Sequence, residues 1–300
     1  MEQKNNGAAK NFFSDLACGY AIGIAFIIPG FSGGSVAAIL GIYERLVGAI
    51  ADLFKSFKES IKTLLPIGLG LVLGAASLLF PLSLALEWAP LPTVSLFVGL
   101  AIGGLPSVTG KIDKGIKFSS VLATLIPAIL ALSLSFLPIG AEKNLFALDF
   151  GGYILLFLIG IIGSAALVVP GISGSMLLLI LGYYNPIVKV LTEHLLLLRD
   201  IIPSLAVLGV TGLGILVGFF AISKLMKLLL SRYPSATYCA ILGFIIGSLP
   251  TVYISTAKEA GLTLTALPTS PWHYVICALL LALGVALSLS LIRFAKKKAE

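Results

Sequence analysis

The chain has 300 residues, 58% of them hydrophobic and 11% charged, with a mean hydropathy of +1.09. A soluble domain carries about 25% charged residues, so composition excludes a soluble globular protein and indicates a polytopic membrane one. The net charge of +7 does not indicate a nucleic-acid partner, because the Lys and Arg residues sit mostly in short connections between apolar runs, where they set topology.

In chain order, apolar segments fall at roughly 12–28, 34–51, 64–86, 93–109 and 116–139, then at 152–169, 175–189, 203–225, 235–254 and 272–294. Lys4 and Lys10 ahead of the first segment resemble a signal peptide. That segment has a partner deep in the chain, however, so it is expected to be retained. The partnership rests on a loop that occurs twice. Pro29-Gly30-Phe31-Ser32-Gly33-Gly34 recurs as Pro170-Gly171-Ile172-Ser173-Gly174-Ser175, 141 residues later. Leu40-Gly41-Ile42-Tyr43-Glu44 answers Leu181-Gly182-Tyr183-Tyr184-Asn185 in the same register. A second pair, Gly99 to Pro106 and Gly243 to Pro250, follows at an offset of 144. Two motifs in one order at nearly one offset indicate an internal duplication, with halves at 1–148 and 149–300.

The segments beside each loop are short for a bilayer core, which takes about 20 apolar residues as one helix. They read as a re-entrant hairpin or a broken helix with the polar turn inside the membrane. Non-helical backbone is tolerated at that depth only where protein or a wet cavity surrounds it. About three transmembrane helices follow each hairpin. A hairpin returns to its starting side, so each half makes an odd number of crossings and the second half enters inverted. The charges agree. Lys4, Lys10, Lys55, Lys58, Lys62, Lys111, Lys114, Lys117, Lys224, Lys227, Arg232, Arg293 and Lys296 to Lys298 fall on one face. The other face keeps Lys143, Lys189, Arg199 and Lys258. Fifteen against four is a strong positive-inside bias, which places both termini in the cytoplasm. The fold class expected is therefore an all-α polytopic membrane protein of two inverted-topology repeats, a recurrent transporter plan.

The loops carry the candidate chemistry. Gly30, Gly33, Gly34, Gly171 and Gly174 permit close backbone approach to a ligand. Ser32 and Ser173 are suited to N-cap the half-helices that follow, and Ser35 and Ser175 add neighbouring hydroxyls. A helix start presents free N–H groups and partial positive charge, which suit a phosphate or carboxylate. Against this stands simple close packing by small residues. Glu44 and Arg45 follow the first hairpin only, since Asn185 and Pro186 occupy those places in the second. Arg suits bidentate phosphate contact, while Glu44 is either interfacial or a titratable group for ion coupling. Tyr43 and Tyr184 read as interfacial anchors, and the second motif pair as packing sites and kinks.

Cys18, Cys239 and Cys277 are scattered singly, so no disulfide framework is expected. His194 and His273 stand alone, which argues against a metal. Gly30-Phe31-Ser32-Gly33-Gly34 fits G-x-S-x-G, yet no His lies near it, the second copy breaks the pattern, and a Ser without a base is a weak nucleophile. An intramembrane serine hydrolase is thus the weakest alternative, behind a secondary transporter of a small anionic solute.

At these motifs the chain resembles a family of bacterial membrane proteins associated with polyprenyl-phosphate transport. The residues that carry the resemblance are Pro29 to Ser35 with Gly41 to Glu44, and Pro170 to Ser175 with Leu181 to Tyr184. It covers essentially the whole chain. It implies a flippase, not an enzyme, in the bacterial cytoplasmic membrane, returning undecaprenyl phosphate from the outer to the inner leaflet for cell-wall synthesis. Its partners would be that lipid and the surrounding membrane lipids, with no cofactor and no nucleic acid; proton or sodium coupling and oligomeric state stay open. The family commonly has Ala-Asp before the first loop and Thr after Gly-Gly. Here Ala25-Phe26-Ile27-Ile28 and Ser35 stand instead.

Overall fold

A backbone that cannot hydrogen-bond to its surroundings must satisfy itself, and within one segment a helix is the solution. The computed structural model describes residues 2–27, 32–113, 115, 117–195, 197–259 and 271–297, and among them the regular structure is helical. The first half contains α1 (Glu2–Ile27), α2 (Gly33–Ile39), α3 (Tyr43–Ala51), α4 (Phe57–Trp88), α5 (Pro90–Thr109) and α6 (Phe118–Leu134). The second contains α7 (Phe150–Val168), α8 (Gly174–Ile180), α9 (Tyr184–Lys189), α10 (Ile201–Arg232), α11 (Pro234–Glu259) and α12 (Pro271–Lys297), with a π-helical turn, Val190–Leu195, after α9. Five of them, α4, α5, α10, α11 and α12, are long and apolar enough to cross a membrane. The protein is a multi-pass membrane protein.

The segments read as 34–51 and 175–189 are each two helices joined at a glycine. Gly41 and Gly182 sit at φ +72° and +79°, the left-handed region that favours glycine. The Ile42 N–H reaches Ala37 O at 3.0 Å and the Gly41 N–H reaches Ala38 O at 3.1 Å. Tyr183 and Gly182 repeat the pair with Leu178 and Leu179. This double bond closes the last carbonyls of α2 and α8, so the chain turns inside apolar surroundings without leaving them unpaired.

Helix ends keep the offset of 141 at Ile27/Val168, Gly33/Gly174, Ile39/Ile180 and Tyr43/Tyr184. From Phe57/Ile201 through Trp88/Arg232 to Pro90/Pro234 it is 144. The three added residues fall between α9 and α10, where the π-turn takes up extra chain.

Small residues fix the helix pairs. A Cβ on Gly19 would lie 2.0 Å from Ile67 O, and one on Gly74 2.1 Å from Tyr20 O. The matches rise together along both chains, so α1 and α4 pack in parallel at near backbone contact, as small residues allow. Gly214 against Phe157 and Gly218 against Ile161 make α7 and α10 a second parallel pair. The remaining pairs cross the halves. Gly99 and Gly103 set α5 parallel to α12 at Leu281 and Val285, and Gly243 and Gly247 set α11 parallel to α6 at Thr124 and Ala128. The second repeated motif therefore supplies the seams between helix pairs, as packing sites. By contrast α5 and α11 run antiparallel, with Tyr253 bonded to Ser95 at 2.9 Å near one end and the Asp113 N–H donating to Ser235 at 3.1 Å near the other.

Charged groups collect at two ends of the bundle. Lys227 pairs with Asp52, and Lys111 with Glu44. His194 meets Asp200 at the start of α10, about 40 Å from Lys227 at 1.5 Å per helical residue. Lys189 and Glu142 pair at 2.8 Å near that second end. The Lys189 ammonium and the Asn185 amide hold the Glu142 carboxyl below its ordinary pKa.

Candidate functional site where the two loops meet

The two copies of the repeated loop come together. A Cβ on Gly34 would lie 3.3 Å from the Pro170 backbone and from Val168 O. The Gly-Gly of the first copy thus rests on the Val-Val-Pro approach to the second. Tyr43 ties the contact: its hydroxyl donates to Val168 O at 2.9 Å, capping an end carbonyl of α7 that its own helix leaves free. Tyr43 is only 1% exposed. The interfacial-anchor reading is therefore wrong for Tyr43, because a partner across the loop contact draws its hydroxyl inward. Tyr184, its counterpart, is at the surface.

Each loop also leans on the second motif. Gly171 has φ +83°, and a Cβ there would lie 2.4 Å from the Phe244 backbone of α11. No other residue fits both constraints. On the other side α2 packs Ile39 onto Gly104 of α5, where a Cβ would lie 2.1 Å from the Ile39 methyl. Gly33 faces Ile22 and the Phe26 ring of α1.

The serines behave differently in the two copies. Ser173 caps α8, accepting from the Met176 N–H at 3.4 Å. Ser32 holds the same backbone geometry, φ −111° and ψ 128°, without a side-chain cap bond. The hydroxyls of Ser32 and Ser35 are buried and have no hydrogen-bond partner among the described residues. An unpaired buried polar group costs about 1–3 kcal/mol, and two in the first turn of α2 call for a reason. Gly174 opens α8 and is half-buried. Pro29, Gly30, Phe31 and the Ser175 side chain lie outside the described residues. Since α2 and α8 have seven residues each, their dipoles are too short to form an anion site alone. The polar resource of the site is its hydroxyls and close glycine backbone.

The structure brings Ser32, Gly33, Gly34, Ser35 and Gly171 to this junction and turns Glu44 and Arg45 to other partners. Arg45 pairs with Asp15 of α1, about 18 Å of helix below the end of α1. Asp15 is 4% exposed. Glu44 accepts from the Tyr238 hydroxyl at 2.5 Å and lies 3.6 Å from Lys111. Asp15, Tyr238 and Lys111 were not singled out by sequence reasoning as site residues. A buried ionisable residue in a membrane helix is a functional candidate by default. The available signal was Asp15 itself, an acid standing one turn before Cys18 just inside the first apolar segment. In the second half Leu156 and Pro186 stand where Asp15 and Arg45 stand in the first, so the whole pair is missing there.

Comparison with known proteins gives the chain a family. Residues 22–266 match the model of a family described as undecaprenyl phosphate translocase-like. A polyprenyl-phosphate transporter of Vibrio cholerae is 27% identical over 97% of this chain and 99% of its own. A polyprenyl-phosphate transporter of Staphylococcus aureus is 29% identical over 91% and 93%. No solved structure matches the chain.

Proposed function

The chain belongs to the undecaprenyl phosphate translocase-like family, and from that premise we propose that it is a flippase. It moves polyprenyl phosphate across the bacterial cytoplasmic membrane, from the outer leaflet to the inner, for reuse in cell-wall synthesis. The observation that carries this reading is the loop junction: Gly34 against Val168 and Pro170, tied by Tyr43, with two unpaired hydroxyls beside it. A phosphate oxygen accepts from serine hydroxyls, so the head group of the lipid supplies the partners Ser32 and Ser35 lack.

In this reading residues 1–148 and 149–300 are inverted repeats, each opening with a re-entrant hairpin. The antiparallel crossing of α5 and α11 supports the inversion, since these two helices carry the same motif. The parallel packing of α1 and α4 supports the hairpin, because α2 and α3 must bring the chain back to the side where α1 begins. The end that holds Lys111 and Lys227 is cytoplasmic. The head group passes the junction while most of the long tail stays in lipid. Arg45, with Asp15 as its resting partner, receives the phosphate at the cytoplasmic end.

The test is leaflet movement of labelled undecaprenyl phosphate in liposomes holding the purified protein, with imposed proton or sodium gradients. Accelerated movement that falls in Ser32→Ala/Ser35→Ala supports the reading. Uptake of a soluble anion without lipid movement would replace it with a small-anion carrier.

A further inference from the structure

Beside the loop junction lies a cavity of about 270 Å³. Gly33, Gly34 and Tyr43 form its junction side, and its walls are the apolar side chains of five helices, among them Ile22, Val47, Ile67 and Phe219. The one hydroxyl among the lining residues, that of Tyr43, is committed to Val168 O. A sugar or a free phosphate would lose its water here and find no partner, which costs free energy. An apolar cavity of this kind is dry and suits hydrocarbon.

We infer that this cavity binds the isoprene units next to the phosphate of the transported lipid. The inference rests on the flippase reading and deepens it. Three observations commit the cavity to that occupant. It adjoins the glycines of the first loop, so a chain inside it continues directly into the head-group junction. Its wall on α4, Ile67 and Leu71, is backed by Leu69, Val72 and Leu73 on the exposed apolar surface, so lipid lies one helix away. Its size is just below the ~300–1,000 Å³ of ordinary small-ligand sites, which admits a short stretch of chain and excludes a whole polyprenyl tail. Recognition then covers the phosphate and the first units, and chain length beyond them has no effect on binding.

The wild-type protein in nanodiscs tests this directly with three photoreactive probes. These are farnesyl phosphate labelled at its first isoprene, a long polyprenyl phosphate labelled at its far end, and a phosphatidic acid labelled in an acyl chain. The first probe is expected to label peptides of α1, α3 or α4 around Ile22, Val47 and Ile67, the second to label bulk lipid, and the third to leave these peptides unlabelled. Leu46→Trp, which adds bulk to the cavity wall, should weaken farnesyl phosphate binding by at least about tenfold at unchanged thermal stability. Labelling of other peptides by the first probe, or equal labelling by phosphatidic acid, overturns the inference. Liposome transport separates the two levels. Cavity labelling without lipid movement keeps the isoprene site as a binding site and removes the flippase; lipid movement without cavity labelling keeps the flippase and overturns the inference.

Discussion

The two halves follow one backbone path with two different sets of charges. Helix ends, cap torsions and the glycine turns coincide from the ends of α1 and α7 to the starts of α3 and α9, yet the Asp15–Arg45 pair has no second copy. The packing also differs. Around α3, Tyr43 and Val47 share a cluster with Met226, Tyr238 and Ile241 of the other half. Around α9, Tyr183 and Val190 pack on Leu145, Leu156, Ile159 and Val207, and Asn185 and Lys189 bond Glu142. The first hairpin is stitched to helices deep in the other half, while the second packs on α7 and α10 and on the segment around Glu142 and Leu145 that leads into α7. The backbone frame is the same in both hairpins, and side chains at a few positions give them different partners.

Substitutions can break this comparison, starting with the frame. Gly171→Val meets a positive φ and the Phe244 backbone together, and should cost more than about 4 kcal/mol. Loss of folded protein in size-exclusion and thermal assays checks it. Gly34→Ala, at a 3.3 Å contact, should fold and lose transport only. Next comes the charge asymmetry. Asp15→Leu strands Arg45 and should destabilise by about 1–2 kcal/mol, less than for a fully buried pair because Arg45 is half-exposed. Asp15→Leu/Arg45→Leu, which imitates Leu156, should recover that stability. It should still lose transport, and full transport in the double variant would make the pair structural.

Smaller effects sharpen the same contrast. Tyr43→Phe leaves Val168 O unpaired and should cost about 1 kcal/mol, whereas Tyr184→Phe should leave the melting temperature unchanged. Ser173→Ala removes a cap and should cost about 0.5–1 kcal/mol. Ser32→Ala removes a buried hydroxyl without a bond, so stability should hold or rise while lipid movement falls. Equal behaviour of the two serines in both assays would erase the distinction between the loops.

Much of this was legible in one sequence because it repeats itself. The twin Pro-Gly loops, the offset of 141 that becomes 144, and the glycine seams all leave marks in linear order. The pairings did not. Tyr43 reads as an interfacial residue until Val168, 125 positions away, becomes its acceptor. Arg45 reads as the anion ligand because its type is right, but its neighbour is set by where α3 turns after Gly41. Asp15 lies upstream of the motif that drew the eye. Contacts between elements depend on register across helices, which side-chain type does not encode.

The exchange of partners across the halves has a consequence for how the protein is made. α5 seats its glycines on α12, and α11 on α6. When the first half enters the membrane, the Gly99/Gly103 face of α5 has no mate, and the Thr124/Ala128 face of α6 none until α11 is synthesised. α12 follows the other described helices. The junction that holds Ser32 and Gly34 is completed only with the second half, after a nascent chain has held the Gly99/Gly103 groove of α5 and the facing side of α6 open to lipid.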